Sequence, residues 1–234
     1  MDSKEVVNEI TVKFGELFSR ALGINLQDRS SDEVFKWFLA SLLFGARISE
    51  TIAKNTYREF EKADLLTSEK ILRKGWGGLV SILDKGGYVR YDYKTADKFL
   101  EVMGNLKKKY NGDLNYLHEE SANSKDLEQR LKNLGKGIGN VTVNIFLREL
   151  RGIWSKANPT LQDLTIMAAK NLGLIREADI ESSLEELIKV WNQNKVEGYR
   201  FSNFETALLR IGKDYCRKNK CNLCPERIFC ARQL

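Results

Sequence analysis

The chain has 234 residues and a formal charge of +6, from 38 Lys and Arg against 32 Asp and Glu. With 42% apolar and 30% charged residues it is too apolar for a disordered chain. No apolar run approaches the roughly 18–20 residues of a membrane span, and the polar, charged start from Met1 to Val6 does not read as a secretory leader. Apolar residues recur at three- and four-residue steps from Val6 to Leu22, which predicts a first amphipathic helix. Leu26 to Ser31 reads as a loop, and Ser31 or Asp32 can cap the next helix. That helix, Val34 to Phe44, is apolar on nearly every side and is expected to be central and buried. Another follows over Ile48–Glu61. The glycines at 75, 77, 78, 86 and 87 then divide the chain into short helices and turns. Helices are expected over Asp92–Lys109, ended by the turn signal Asn111-Gly112, and over Leu127–Leu134, Val141–Leu150, Leu161–Leu172, Ile180–Val190 and Phe204–Cys216. No alternating strand pattern or repeat appears, so the expected fold class is all-α.

Two segments carry chemistry. The first runs Leu134-Gly135-Lys136-Gly137-Ile138-Gly139-Asn140, between two apolar helical stretches. Glycines permit positive φ and close backbone approach, and the start of the second helix offers unpaired N–H groups to an anion. A tight turn whose glycines serve only packing has the same signature. The second is Cys216-x4-Cys221-x2-Cys224-x5-Cys230, with about 215 cysteine-free residues before it. Thiols clustered this way suit a metal centre better than a disulfide framework. Zinc hooks usually span a longer gap, and the opening Cys-x4-Cys-x2-Cys occurs in iron–sulfur proteins of ferredoxin type. The lone histidine, His118, argues against a His-rich metal site or a Ser-His-Asp triad and is expected in an exposed loop.

The glycine segment, with Thr142 following, resembles the helix-hairpin-helix motif. The cysteine loop resembles the compact cluster loop of the endonuclease III family of DNA glycosylases, in its last two spacings and in the approach Leu208 to Cys216. Phe38 to Arg47 resembles that family's buried early helix, and Gly87-Tyr88 with Lys94-Thr95-Ala96 resembles its Gly-Tyr-x-x-x-Lys-Ala segment with three added residues. Together these cover about residues 32–232. The resemblance implies a two-domain helical fold, with a hairpin-bearing barrel over 29–154 and a cluster domain made of 1–28 and 155–234. It implies a 4Fe–4S cluster on Cys216, Cys221, Cys224 and Cys230, and DNA entering a cleft between the domains. A soluble intracellular monomer, nucleoid-associated or nuclear, acting on double-stranded DNA is expected.

A glycosylase flips its target nucleotide and breaks the base–sugar bond, and a carboxylate beside the sugar stabilises the developing positive charge. Members that also cut the backbone use a lysine two residues after the second hairpin glycine, where this chain has Val141. The resemblance therefore implies a monofunctional glycosylase, or a DNA-binding, lesion-recognising relative without chemistry. An electron-transfer protein is the third reading. Asp163 is the candidate carboxylate in Asn158–Ile166; alignment from the Leu172 side puts Gln162 there instead, and the family's histidine position holds Leu164 or Thr165. The DNA-contacting set is Gly135, Lys136, Gly137, Ile138, Gly139 and Asn140, with Arg47 after the early helix. Arg217, Lys218 and Lys220 join it on the cysteine loop, where residues 213–234 carry six Lys or Arg against two acids. Tyr88, Tyr91 and Tyr93 with Arg90 and Lys94 suit stacking and phosphate contact, or a partly buried loop. Trp37 and Trp154 read as core, and Lys107–Lys109 as a solvated helix end.

Overall fold

The structure is a computed structural model that describes residues 2–176 and 179–230. Among them there is no strand, only an isolated bridge between Arg151 and Trp154. The chain forms two units, one of residues 22–159 and one of residues 1–21 with 160–234. The sequence reading put the divisions after residues 28 and 154. Leu22, Ile24 and Leu26 are buried in the first unit, and the turn Leu26–Asp28 packs on the helix that follows. At the other end, Arg151 donates to the Asn158 side chain and to the Pro159 carbonyl, so residues 151–159 stay with the same unit.

In the hairpin-bearing unit, α3 (Ser31–Phe44) is capped by Ser30, which accepts the Glu33 N–H, rather than by Ser31 or Asp32. Nine of its residues, including Trp37, Phe38, Leu39 and Leu43, are buried, which makes it the centre of the unit as its all-round apolarity predicts. Around it lie α4 (Glu50–Lys62, capped by Ser49), α5 (Ser68–Lys85), α6 (Asp92–Tyr110) and α7 (Leu114–Glu119). The hairpin pair, α8 (Ser124–Lys132) and α9 (Asn140–Leu150), completes the unit. Within the glycine run, Gly75 (φ 69°, ψ 173°) is non-helical and divides α5 into two helical stretches, as the sequence predicts. Asn111 and Gly112 adopt positive φ and stop α6 as expected. The core is ordered by specific contacts: the Trp37 indole N–H donates to the Phe146 carbonyl at 3.0 Å, and Phe38 meets Phe146 edge-on at 5.2 Å.

The other unit joins α1 (Ser3–Phe14) and α2 (Phe18–Ala21) to α10 (Asp163–Asn171), α11 (Ile180–Gln193) and α12 (Phe201–Ile211). The expected single helix from Val6 to Leu22 breaks at Gly15, where the Asn203 side chain donates to the Gly15 carbonyl and Arg210 to those of Phe14 and Glu16. Val7 and Ile10, Ile166 and Ala169, Leu187 and Trp191, and Phe204 and Leu208 form its core. From α12 the chain continues through one π-helical turn, Gly212–Cys216, into the cysteine loop.

Candidate nucleic-acid interface and cysteine loop

The hairpin turn is anchored from below and open above. Leu127, Leu131, Leu134 and Ile138 are buried, and the Asn105 amide on α6 donates to the Leu134 carbonyl at 2.9 Å. The glycines have separate tasks. A Cβ on Gly135 would stand 2.7 Å from Val102 on α6, so this glycine serves packing. Gly137 has φ +84°, a conformation L side chains rarely adopt. Gly139 has open space where a Cβ would be, so nothing within the protein demands a glycine there. It is also the N-cap of α9 and supplies no side-chain cap, which leaves the helix's first N–H groups to solvent or ligand. Lys136, Gly137, Gly139 and Asn140 are exposed, with Gly135 half-buried and Ile138 acting as the plug.

Val141 follows at 59% exposure, so the position where a lyase would carry its amine faces solvent with an inert side chain. Thr142 turns inward against Gly45, where any Cβ would collide with its hydroxyl and Cβ. That contact brings the bend after α3, and with it exposed Arg47, beside the first turn of α9.

Lys98 on α6 is a functional candidate the sequence reading missed. A Cβ on Gly137 would lie 3.4 Å from its Cδ and 3.9 Å from its Nζ, so the half-buried amine sits under the hairpin turn. It has no acidic partner among the described residues, and burial pushes its pKa down to about 8. The only signal in the sequence is its spacing: Lys94 and Lys98 are one helical turn apart.

The aromatic segment divides. Tyr88 is buried, and its hydroxyl accepts from Thr95. Tyr91 and Tyr93 are exposed, and Arg90 lies over the Tyr91 ring. Trp37 and Trp154 are core. His118 is not in a loop: it lies in α7, half-buried and stacked on Trp154 at 4.6 Å. Burial and the Lys156 charge hold its pKa below the ordinary histidine value.

In the other unit, Asp163 is the first residue of α10, with its side chain exposed, and Gln162 is the half-buried N-cap. The next residue, Leu164, fixes this corner: its carbonyl fills the space beside Gly212, where a Cβ would collide with it. The start of α10 is thus packed on the π-turn that delivers Cys216. The loop then folds through tight turns, with the N–H groups of Cys224, Arg227 and Cys230 each donating to the carbonyl three residues back. All four thiols are half-buried and unbridged, and Cys216 and Cys224 pack on the core of the unit. Burial pushes the Cys224 thiol up, an N–H from Glu226 opposes this, and the charges of Cys216 and Cys230 add to it. Cys224 is therefore in electrostatic reach of both Cys216 and Cys230. Among the described residues no group of three or more His, Cys, Asp or Glu is placed to hold a metal ion. Glu226 is fully buried, with Lys13 reaching it at 3.4 Å. Arg217, Lys218, Lys220 and Arg227 are exposed, and Lys218 is drawn to Asp214; Arg232, part of the basic count, lies outside the described residues.

The fold is that of a helical DNA glycosylase. No family model and no curated protein matches the chain. Among solved structures it is similar to the H. pylori 3-methyladenine DNA glycosylase MagIII bound to 1,N6-ethenoadenine. The TM-score is 0.52 at 13% identity, covering 94% of this chain and 99% of that one. At that identity the likeness is one of fold. No helix among the described residues is long and apolar enough to cross a membrane.

Proposed function

We propose that the protein binds double-stranded DNA and acts as a monofunctional glycosylase in base-excision repair. The observation that carries the reading is the hairpin: an uncapped, glycine-opened helix start on a rigid apolar base, in a chain whose fold follows a DNA glycosylase almost end to end. The exposed N–H groups of the turn hold a phosphate, with Lys136 and Arg47 nearby and Arg217, Lys218 and Lys220 on the cysteine loop as further backbone contacts. Asp163 is the candidate carboxylate. It stabilises positive charge on the sugar as the base leaves and orients the water whose oxygen bonds to C1′ while the base–sugar bond breaks. Exposed Val141 provides no amine, so the backbone is left intact.

The cysteines carry the second part of the proposal: four half-buried, unbridged thiols lie in successive tight turns, with Cys216 and Cys224 packed on the core of the unit, and their close spacing suits a cluster better than zinc hooks. We assign Cys216, Cys221, Cys224 and Cys230 to a 4Fe–4S cluster, which when bound cross-links the loop and supplies a redox-active centre. Iron and acid-labile sulfide in roughly one-to-one ratio are expected, lost together in Cys224→Ser.

The decisive assay is single-turnover base release from duplexes carrying damaged or mismatched bases. Ethenoadenine and 3-methyladenine come first, because the structural neighbour is named for one and bound to the other. Release abolished by Asp163→Asn supports the assignment; unchanged release moves it to Gln162 or elsewhere. Recognition without chemistry is the second reading, favoured by Val141 and by Leu164 or Thr165 at the family's lysine and histidine positions. Salt-dependent duplex binding with no base released from any substrate would establish it.

A further inference from the structure

The kink at Gly75 presents an aromatic surface that the hairpin does not use. Its backbone (φ 69°, ψ 173°) interrupts α5 and turns Trp76 outward, 43% exposed. The Trp76 ring lies against Tyr93 at the start of α6, with centroids 5.2 Å apart and planes 39° from parallel. Tyr91 and Val89 are exposed on the same connection. Gly75 and Gly77, on either side of the tryptophan, have nothing within 4 Å of a Cβ position, so the backbone beside the ring is open to a ligand. Exposed Arg73, Lys74, Arg90 and Lys94 belong to the same segments, and none of them is in a salt bridge among the described residues. The nearby acids Asp84 and Asp92 interact with each other.

We propose that the Trp76–Tyr93 corner is a stacking platform for unpaired nucleotides, with the phosphates of the strand lying along Arg73, Lys74, Arg90 and Lys94. Exposed π-faces interleaved with unneutralised cations meet both halves of a single strand: bases stack on the rings and phosphates meet the cations. An aliphatic partner surface would leave these cations without counter-charge. Helix α6 carries the track onward, since Lys98 lies one turn, about 6 Å, beyond Lys94 and against Gly137. This last link rests on the hairpin being a phosphate site; the platform itself does not.

The test uses the full chain and an oligothymidylate of about ten nucleotides, within the usual range for such grooves. Trp37, Trp154 and Trp191 are buried, so quenching by stacking reports Trp76. The single strand is expected to quench tryptophan fluorescence, Trp76→Phe to abolish this quenching, and Trp76→Ala or Tyr93→Ala to weaken single-strand binding by about tenfold each. Variants with unchanged melting curves show that the loss is not unfolding. Polyphosphate competing as well as the oligonucleotide would reduce the surface to charge alone and overturn the proposal. So would an equal loss of blunt-duplex and single-strand binding in Trp76→Ala, or binding unaffected by both alanines. Quenching that persists when no lesion base is ever released would leave the platform standing and remove the glycosylase reading.

Discussion

Both the turn between α8 and α9 and the loop from Arg217 to Cys230 follow an amphipathic helix and carry exposed positive charge. The turn spans only residues 133–139, yet Leu134 and Ile138 are buried in it, Gly135 is pressed against α6, and Thr142 locks the next helix onto α3. Within the longer loop only Glu226 and Phe229 are buried. Burying one phenylalanine yields about 2–3 kcal/mol, roughly what ordering two residues costs. A hairpin anchored by packing can leave its N–H groups open for a phosphate, because nothing above the turn is needed to hold it. The cysteine loop has a slighter anchor: Phe229 and Cys224 pack on the core of its unit, and Glu226 meets Lys13. On the proposed cluster assignment, the rest of its order comes from what its sulfurs bind.

The contrast breaks most visibly at Phe146. This side chain is fully buried between Phe38 and Trp154, and its carbonyl takes the Trp37 indole N–H. Phe146→Ala is expected to cost about 3–5 kcal/mol in denaturant unfolding, with or without iron. Cys230→Ala should behave differently: a marked fall in melting temperature for protein isolated with its cluster, and within about 0.5 kcal/mol for iron-free protein. A Phe146→Ala loss below about 1 kcal/mol would refute the packing account, and an iron-independent cysteine effect would refute the other half.

The hairpin was legible because Gly137 takes a positive φ that few other residues adopt, and the cysteine spacing marked a segment that folds as successive tight turns. Periodicity located α3 and α6, whose apolar faces are regular. It misjudged the chain where one contact decides the outcome. Apolar spacing runs on through Phe14, Leu17 and Phe18, yet the helix ends at Gly15 because distant Asn203 and Arg210 donate to the carbonyls of Phe14, Gly15 and Glu16. The run from Gly75 to Gly78 reads as a break and Gly75 makes one; what spacing did not show is that helix resumes at once, with Leu79, Ile82 and Leu83 buried together. His118 gave no signal at all, since stacking on Trp154 joins α7 to the chain after α9. Lys98 looked like any helix lysine until the hairpin was folded over it.

A finer division runs within the hairpin. Gly45→Ala drives a methyl into Thr142 and is expected to cost about 1–3 kcal/mol, recovered in part by a second change, Thr142→Ala, in a double-mutant cycle. Gly139→Ala enters open space at φ −101° and should stay within about 1 kcal/mol of the parent in stability. It should still weaken duplex binding several-fold, because the methyl stands where a phosphate would approach. If Gly139→Ala binds duplex as tightly as the parent, the open turn is not the contact.

The smallest effect is the most specific, because its two parts have opposite signs. Burial holds the Lys98 pKa near 8, against 10.5 for an ordinary lysine. Between those values the unfolded chain keeps a proton that the folded chain has lost, so this group makes the fold more stable as pH rises from about 8 to 10. A phosphate at the turn favours the ammonium, so the DNA complex takes up the proton, and affinity falls over the same window by at most about one log unit per pH unit. The charged residues around the amine, Lys94 and Glu101 on α6 and Lys136 on the turn, are common to free and bound protein; Lys98→Met should flatten both profiles. A lysine that only packs under Gly137 would strengthen the fold with rising pH and leave duplex affinity indifferent to its removal. Titrating duplex binding between pH 7 and about 10, with and without Lys98→Met, separates these outcomes.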